Sequence, residues 1–500
     1  MPGMISIDFG NSFTKVGVRR DNNTPSELVR DNNLDQDDGL NVCIPSLVAR
    51  VERRGEKRWR YGLDVLKLGQ RTSGTHIYRN WKPLFFENID SATSPPVPAN
   101  RQRVGVAGSS LRTISRRSVE HSASLVGLSF AEMAEILRQR GKFVDEDGEA
   151  AVPSSASQEG ELTKEFLQPV AIGFFKWLRN FINPICRKMG LEDPDAIPVR
   201  ICVPSFGSQA KAEELLTEVL QDSGWQLDEG FPVLTEPLAN SLGIVTEGRN
   251  ATWFPQKTRR ECRYNRTMFG DSELFQAIRG HLLQNTQKFY WVMGIDVGGY
   301  TADFSMLGFD LGEFDASLDG YHDGMRREAR QSKPIGVRLL DTRIAALLSE
   351  AKQAYLDEMN RDPDQRQIET FHRTLYDNRR VFNTTAGAIG EGSEGEAIES
   401  CILAFANEIA DSAERFLTAE QYKRIDALIL TGGGCNIPMV RRRLCQRLER
   451  YRTGSSFAAT YVPAKESERL PGGYSRLGPR LVRGATALGG ASVFFDFART

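Results

Sequence analysis

Two stretches of this 500-residue chain join an acidic residue to a glycine turn in a way that could manage a phosphate group. One is Ile7-Asp8-Phe9-Gly10-Asn11-Ser12 and the other Ile295-Asp296-Val297-Gly298-Gly299-Tyr300, and a threonine follows each, Thr14 and Thr301. Apolar alternation on either side predicts a strand, a turn and a second strand in both places. A glycine in the turn lets backbone N–H groups point inward with no Cβ in the way, and concave sets of amides bind phosphate oxygens. A carboxylate just ahead of such a clamp would repel phosphate if it acted alone. With a cation between them the arrangement makes sense, and magnesium, which keeps most of its waters and accepts a few carboxylates, is the natural choice. One Asp-x-Gly turn is ordinary hairpin chemistry; two, each opening a long stretch of alternating strands and helices, indicate a repeated architecture.

A third glycine motif lies in the second half. The strand Ile429-Leu430-Thr431 runs into Gly432, Gly433 and Gly434, with Asn436 suited to cap a helix and Pro438 to open it. A flat ligand can approach such a backbone closely.

The elements that must position these residues read as two α/β halves. The first holds a surface ribbon over 49–62, a helix over 162–190, the strand 199–206, a helix over 209–224 stopping at Gly224, a strand around 231–237 and a helix from Leu238. The second restarts at Phe289 and adds helices over 339–359, 366–382 and 396–418, the strand at 427–431, a basic helix from Pro438 and a small-residue helix from Gly478. Residues 91–160, with one short helix near 130–140, and residues 247–288 read as loop-rich insertions. The expected division is 1–288, 289–474, and a C-terminal helix in 475–500 that returns to the first half.

In order and approximate spacing, the three motifs resemble the phosphate and adenosine signatures of the actin, sugar kinase and 70-kDa heat-shock chaperone superfamily. Three further segments resemble the chaperone branch. Residues 199–245 carry a strand ending in Val203-Pro204, a helix, then Glu236-Pro237 followed by small residues; residues 375–385, LYDNRRVFNTT, resemble the helix whose arginine packs on adenine; and residues 44–50 and 79–85 resemble parts of the chaperone's first lobe. Nothing resembles the chaperone's peptide-binding domain.

The resemblance implies an α/β fold of two actin-like, ribonuclease H-like lobes flanking a nucleotide cleft, and an ATPase taking ATP/ADP and Mg2+. It assigns Asp8 and Asp296 to the magnesium hydration shell, and Gly10, Asn11, Ser12, Gly298, Gly299, Tyr300 and Thr301 to the phosphates. Glu236 would orient a metal-bound or attacking water, and Asp303 is a further candidate. Two lysines compete for the phosphate: Lys82 matches the chaperone position, Lys15 the actin position. Arg379 and Arg380 would hold adenine against Gly432, Gly433, Gly434 and Asn436. Tyr300 stands where the chaperones carry a third glycine, and its bulk disfavours positive φ, so that turn must differ. Asn436 stands where they carry arginine. A filament-forming ATPase and a nucleotide-gated module with negligible turnover are the alternatives.

Charge and cysteine usage narrow the rest. With 64 basic and 65 acidic residues, no global field draws the chain onto nucleic acid or an anionic membrane. No apolar run is long enough to cross a bilayer and no leader is evident, so the expected compartment is the cytoplasm. Partners are a protein client or further copies of the chain, with no nucleic acid and no membrane. Seven scattered cysteines without a CxxC pair argue against a disulfide framework and a zinc site. Residues 390–395, GEGSEG, satisfy a dinucleotide fingerprint but read as a loop with no strand ahead. The arginine run 441–452 reads as a solvated helix face, and Cys435 as a weak candidate for an oxidant sensor.

Overall fold

A computed structural model gives the fold of residues 3–21, 26–30, 40–53, 56–68, 75–78, 81–86, 164–206, 210–247, 289–310, 325–361, 366–451, 457, 459–464, 469–470 and 474–492. Most of both sequence-read insertions, including the short helix near 130–140, lies outside the described residues. The described part is mixed α/β, built on two six-stranded sheets.

The first sheet begins as an antiparallel meander of β1 (Met4–Phe9), β2 (Phe13–Arg19) and β3 (Glu27–Leu28), with β4 (Ile44–Pro45) against β2. A separate ribbon of β5 (Val48–Arg53), β6 (Glu56–Tyr61) and β7 (Thr75–Tyr78) follows, and then β8 (Val199–Val203) and β9 (Val233–Thr235) extend the first sheet in parallel beyond β1. The second sheet repeats the plan. β10 (Phe289–Val297), β11 (Ala302–Asp310) and β12 (Met325–Lys333) form the meander; after the small hairpin of β13 (Phe382–Thr384) and β14 (Gly387–Ile389), β15 (Ile425–Thr431), β16 (Ala459–Pro463) and β17 (Tyr474–Leu477) add on in parallel. The orders are β3-β2-β1-β8-β9 and β12-β11-β10-β15-β16-β17.

Burial explains why the central strands read as near-continuous apolar runs, since both faces are covered. On one side of the first sheet Ile5, Ile7 and Phe9 pack with Trp81, Phe174 and Phe175, the last two from α1 (Lys164–Lys188). α2 (Ala210–Asp222) seals the same core with Leu216, Val219 and Leu220 and ends at Ser223-Gly224, Gly224 taking φ 82 as its sequence position requires. The second sheet packs Ile295, Phe304 and Leu428 on its own helices. Between the sheets lie α3 (Glu236–Glu247) and, much later in the chain, the small-residue helix at Pro479–Gly490, which share a core with Val292 and Ile429. These two helices cross so closely that a Cβ on Gly243 would overlap the Ala485 carbonyl, and one on Gly489 that of Ala239.

Four sequence expectations change. The helix expected over 339–359 is two, α4 (Val337–Leu347) and α5 (Glu350–Arg361), because Leu348 is extended. The helix expected over 366–382 is α6 (Arg366–His372) followed by a π turn at Arg373–Asp377; Arg379 is left-handed at φ 52, and β13 starts at Phe382. The poor helix formers Asp377 and Asn378 fall where helical hydrogen bonding stops. The GEGSEG stretch has a strand ahead, β14, and α7 (Gly392–Phe416) begins within it; Glu394 accepts from the Gly390 N–H and from Lys352, so its carboxylate serves the helix start. Finally, α8 (Pro438–Glu449) is capped at Ile437 rather than Asn436, because Gly433–Asn436 already form a 3-10 turn.

Candidate functional site

Hairpin register places the acidic residues. In the first hairpin Asp8 lies directly across from Lys15, and Lys15 Nζ donates to Asp8 Oδ2 at 3.1 Å. Burial, the largest single influence, works to lower the Lys15 pKa, but Asp8, Cys43 and Asp296 together outweigh it, so the ammonium is held above its usual range. In the second hairpin the equivalent cross-strand pair is Asp296 with Asp303. Burial, then the neighbouring Asp8 charge, pushes the Asp296 carboxyl up to about 7. Asp303 is also pushed up to about 7, by burial and then by Asp296, against the pull of hydrogen bonds from Ser332 and Thr301. Thr14 and Thr301 are therefore not counterparts. Thr14 lies opposite Phe9 inside the first sheet and shares a hydrogen bond with Ser46, whereas Thr301 is in the turn and donates to Asp303 at 3.0 Å.

The two turns face one another: a Cβ on Gly299 would stand 4.0 Å from Ser12 Oγ. Gly10 and Gly298 take no positive φ, so freedom of φ does not explain these glycines. Close approach explains Gly10, whose Cβ would overlap the Phe13 carbonyl. The Tyr300 turn closes without positive φ as its bulk demands, by a Gly298 N–H to Thr301 carbonyl bond of 2.8 Å, and the Tyr300 ring packs edge-on to Phe206. Behind this turn the first N–H groups of α4, at Val337 and Arg338, donate to the Gly298 and Gly299 carbonyls at 3.0 Å each.

The second lysine is at the site too. Lys82, 4% exposed, donates to Glu236, 6% exposed, the first residue of α3. A lone buried salt bridge would pull a carboxyl pKa down; here burial, with Asp303 and Asp8 close by, wins and pushes Glu236 up. Lys15 and Lys82 each pair with their own carboxylate, Asp8 and Glu236, within one cluster. Four carboxyl groups (Asp8, Glu236, Asp296, Asp303) face two ammonium groups, an excess of two negative charges when all are ionised, which suits a divalent cation. No group of three or more His, Cys, Asp or Glu among the described residues could hold a metal ion directly. Two carboxylates near the ends of β1 and β10, just ahead of the facing turns, fit an ion that keeps its water shell.

The glycine motif of β15 meets the second hairpin. Gly432 has φ 79, and a Cβ there would overlap Asp296 Oδ1 and the Val297 carbonyl. Gly433 has open space where its Cβ would be, while Gly434 is packed on Val297. Asn436 is half-buried, and its carbonyl accepts from Arg441. Arg379 and Arg380 are exposed beyond the π turn; Arg379 pairs with Glu399 at 3.0 Å, and no hydrogen bond or ion pair joins either side chain to Gly432–Gly434 among the described residues. Cys435 is fully buried and its thiol is pushed well above the ordinary range, which disfavours an oxidant sensor. The arginine run serves the fold: Arg441 donates to the Cys435, Asn436 and Pro463 carbonyls, and Arg447 and Arg450 pair with Glu414.

Sequence reasoning missed Asn240, Thr431 and Ser332. Asn240, one helical turn after Glu236, donates from Nδ2 to Asp296 Oδ2 at 2.7 Å, and Thr431 Oγ1 donates to Asn240 Oδ1 at 2.8 Å. Ser332 joins the sheets: its Oγ accepts from the Ser205 N–H, its own N–H donates to the Ser205 carbonyl at 2.9 Å, and the hydroxyl donates to Asp303. The i, i+4 spacing of Glu236 and Asn240, which places both on one helix face, could have flagged Asn240. No protein-family model matches the chain, and no curated protein matches it.

Proposed function

We propose that the chain is a Mg-ATP-binding, ATP-hydrolysing switch of the actin, sugar kinase and 70-kDa heat-shock chaperone superfamily, its two sheets forming the cores of two lobes whose closure follows the nucleotide. The observation that carries this reading is the convergence of Asp8 and Asp296 from two sheets of the same strand order, with Lys15, Lys82, Glu236 and Asp303 around them. Asp8 and Asp296 would hold Mg2+ through its waters. When bound, the ion neutralises charge on the triphosphate oxygens.

The chain's own residues do the rest. The Gly10 and Gly298 N–H groups close their own turns on the Asp8 and Thr301 carbonyls, so backbone N–H groups further along each turn, at Ser12 and Gly299, orient the phosphates, and Lys15 and Lys82 offset their charge. Glu236, whose high proton affinity suits proton transfer near neutrality, is the acceptor for the proton of an attacking water. Hydrolysis on this scheme is chiefly positioning and charge neutralisation. The open approach at Gly433 suits the adenosine, with Arg380 as the stacking cation. The client is a protein or another copy of the chain. No helix among the described residues is long and apolar enough to cross a membrane.

Isothermal titration with ATP and ADP, with and without Mg2+, tests the reading. Binding that Mg2+ strengthens, and that is weakened in both Asp8→Asn and Asp296→Asn, is expected. Failure of either nucleotide to bind the wild-type chain in Mg2+ overturns it.

A further inference from the structure

The Asp296 carboxylate is pinned from two sides. Oδ2 accepts from Asn240 at 2.7 Å, and Oδ1 lies against the Cα of Gly432, where there is no room for a Cβ. Asn240 is itself locked. It is 2% exposed, its second Nδ2 proton is directed at Thr486 Oγ1 at 3.3 Å, and its Oδ1 accepts from Thr431, which is 0% exposed and is the register partner of Asp296 on β15. The ionised Asp296 carboxylate can only accept, so it takes the NH2 end of the amide, and the Thr431 hydroxyl donates to the other end. In the first hairpin a flexible, charged lysine performs this task.

We propose that Asn240 is a positioning residue that holds the Asp296 carboxylate in the rotamer needed to receive a hydrated divalent cation, and that it ties this carboxylate to the Pro479–Gly490 helix through Thr486. The proposal rests on the nucleotide reading above for the identity of the cation's partner, and on geometry alone for the role of the amide. A neutral donor is suited to the place. Asp8, Lys15, Glu236, Lys82, Asp303 and Cys435 already surround this region, and a second cation against Asp296 would compete with the metal for the same oxygen.

The test compares ATP affinity with and without Mg2+ in the full chain. Asn240→Leu, close in shape but without hydrogen bonds, is expected to weaken Mg-ATP binding about tenfold while leaving metal-free ATP binding unchanged. Thr431→Val, which removes the donor to Asn240 Oδ1 and so loosens the amide, gives the same pattern at about threefold. In an Asp296→Ala background, Asn240→Leu adds nothing. Parallel loss of metal-free and Mg-ATP binding, or full additivity with Asp296→Ala, assigns Asn240 to the fold alone and overturns the proposal. If Asn240→Leu does not fold, Thr431→Val decides by the same criteria.

A ligand-free arm separates this from the nucleotide reading. The Asn240 side-chain amide protons, observed by NMR, should shift upfield in Asp296→Ala. If that shift occurs in a chain that binds no ATP, the amide–carboxylate lock stands and the nucleotide reading falls. If the shift is absent, the positioning role falls whatever the chain binds.

Discussion

The two hairpins are built alike and charged differently. Across β1 and β2, Asp8 faces Lys15, an opposite-charge pair of the kind that stabilises an antiparallel ladder; across β10 and β11, Asp296 faces Asp303, like charges that strain it. The second hairpin offsets this with neutral donors: Asn240 on Asp296, Ser332 and Thr301 on Asp303. The first carboxylate is thus compensated before any ligand arrives, while the second pair remains under-compensated with both proton affinities raised. A duplicated backbone need not carry duplicated electrostatics. The asymmetry makes the second hairpin the one whose stability depends more on the protonation of its own carboxyls.

The comparison breaks most severely at Lys15. Lys15→Met leaves Asp8 without its cross-strand counter-ion and gives both hairpins uncompensated carboxylates. Because Lys15 is 18% exposed, the expected loss is about 2 kcal/mol, below the range for breaking a fully buried pair, and denaturant unfolding measures it.

A smaller effect sharpens the contrast through pH. The Asp296 and Asp303 carboxyls sit at about 7 in the fold and near 4 when unfolded, so the folded chain binds more protons between these values. Stability from these groups is fully present below about pH 4, falls as pH rises toward 7, and levels off above it. Asp296→Asn removes one of the two groups. Thermal melts of the ligand-free variant should therefore lie a few degrees above wild type at pH 8 and converge with it toward pH 4, whereas Asp8→Asn, which strands Lys15, should lower the melt at pH 8.

The smallest effect belongs to Arg380→Ala. As an exposed side chain, its loss should change stability by no more than about 0.5 kcal/mol. Its removal should weaken ATP binding about fivefold in a calorimetric titration, the worth of one stacked guanidinium at about 1 kcal/mol.

Much of this was legible in the chain because the signals are local. Strand alternation, a glycine turn and the chain's restart at Phe289 identified both hairpins, and the apolar runs of β8 and β15 identified the parallel strands beside them. Boundaries failed where tertiary contacts outvote propensity. Leu348 breaks an otherwise continuous helical pattern, Asn436 is consumed by a 3-10 turn, and the glutamates of 391–396 open a helix because Glu394 finds Lys352, 42 residues away in sequence.

What the sequence determined by itself was which residues carry charge and where the backbone must turn, since hairpin geometry and helix spacing act over a few residues. What only the tertiary structure decided was who compensates whom. Lys82 meets Glu236 across 154 residues, Asn240 meets Asp296 across 56, and Thr431 meets Asn240 across 191. Coulombic and hydrogen-bond energies depend on separation in space and on exclusion of water, neither of which is encoded at fixed spacing along a chain.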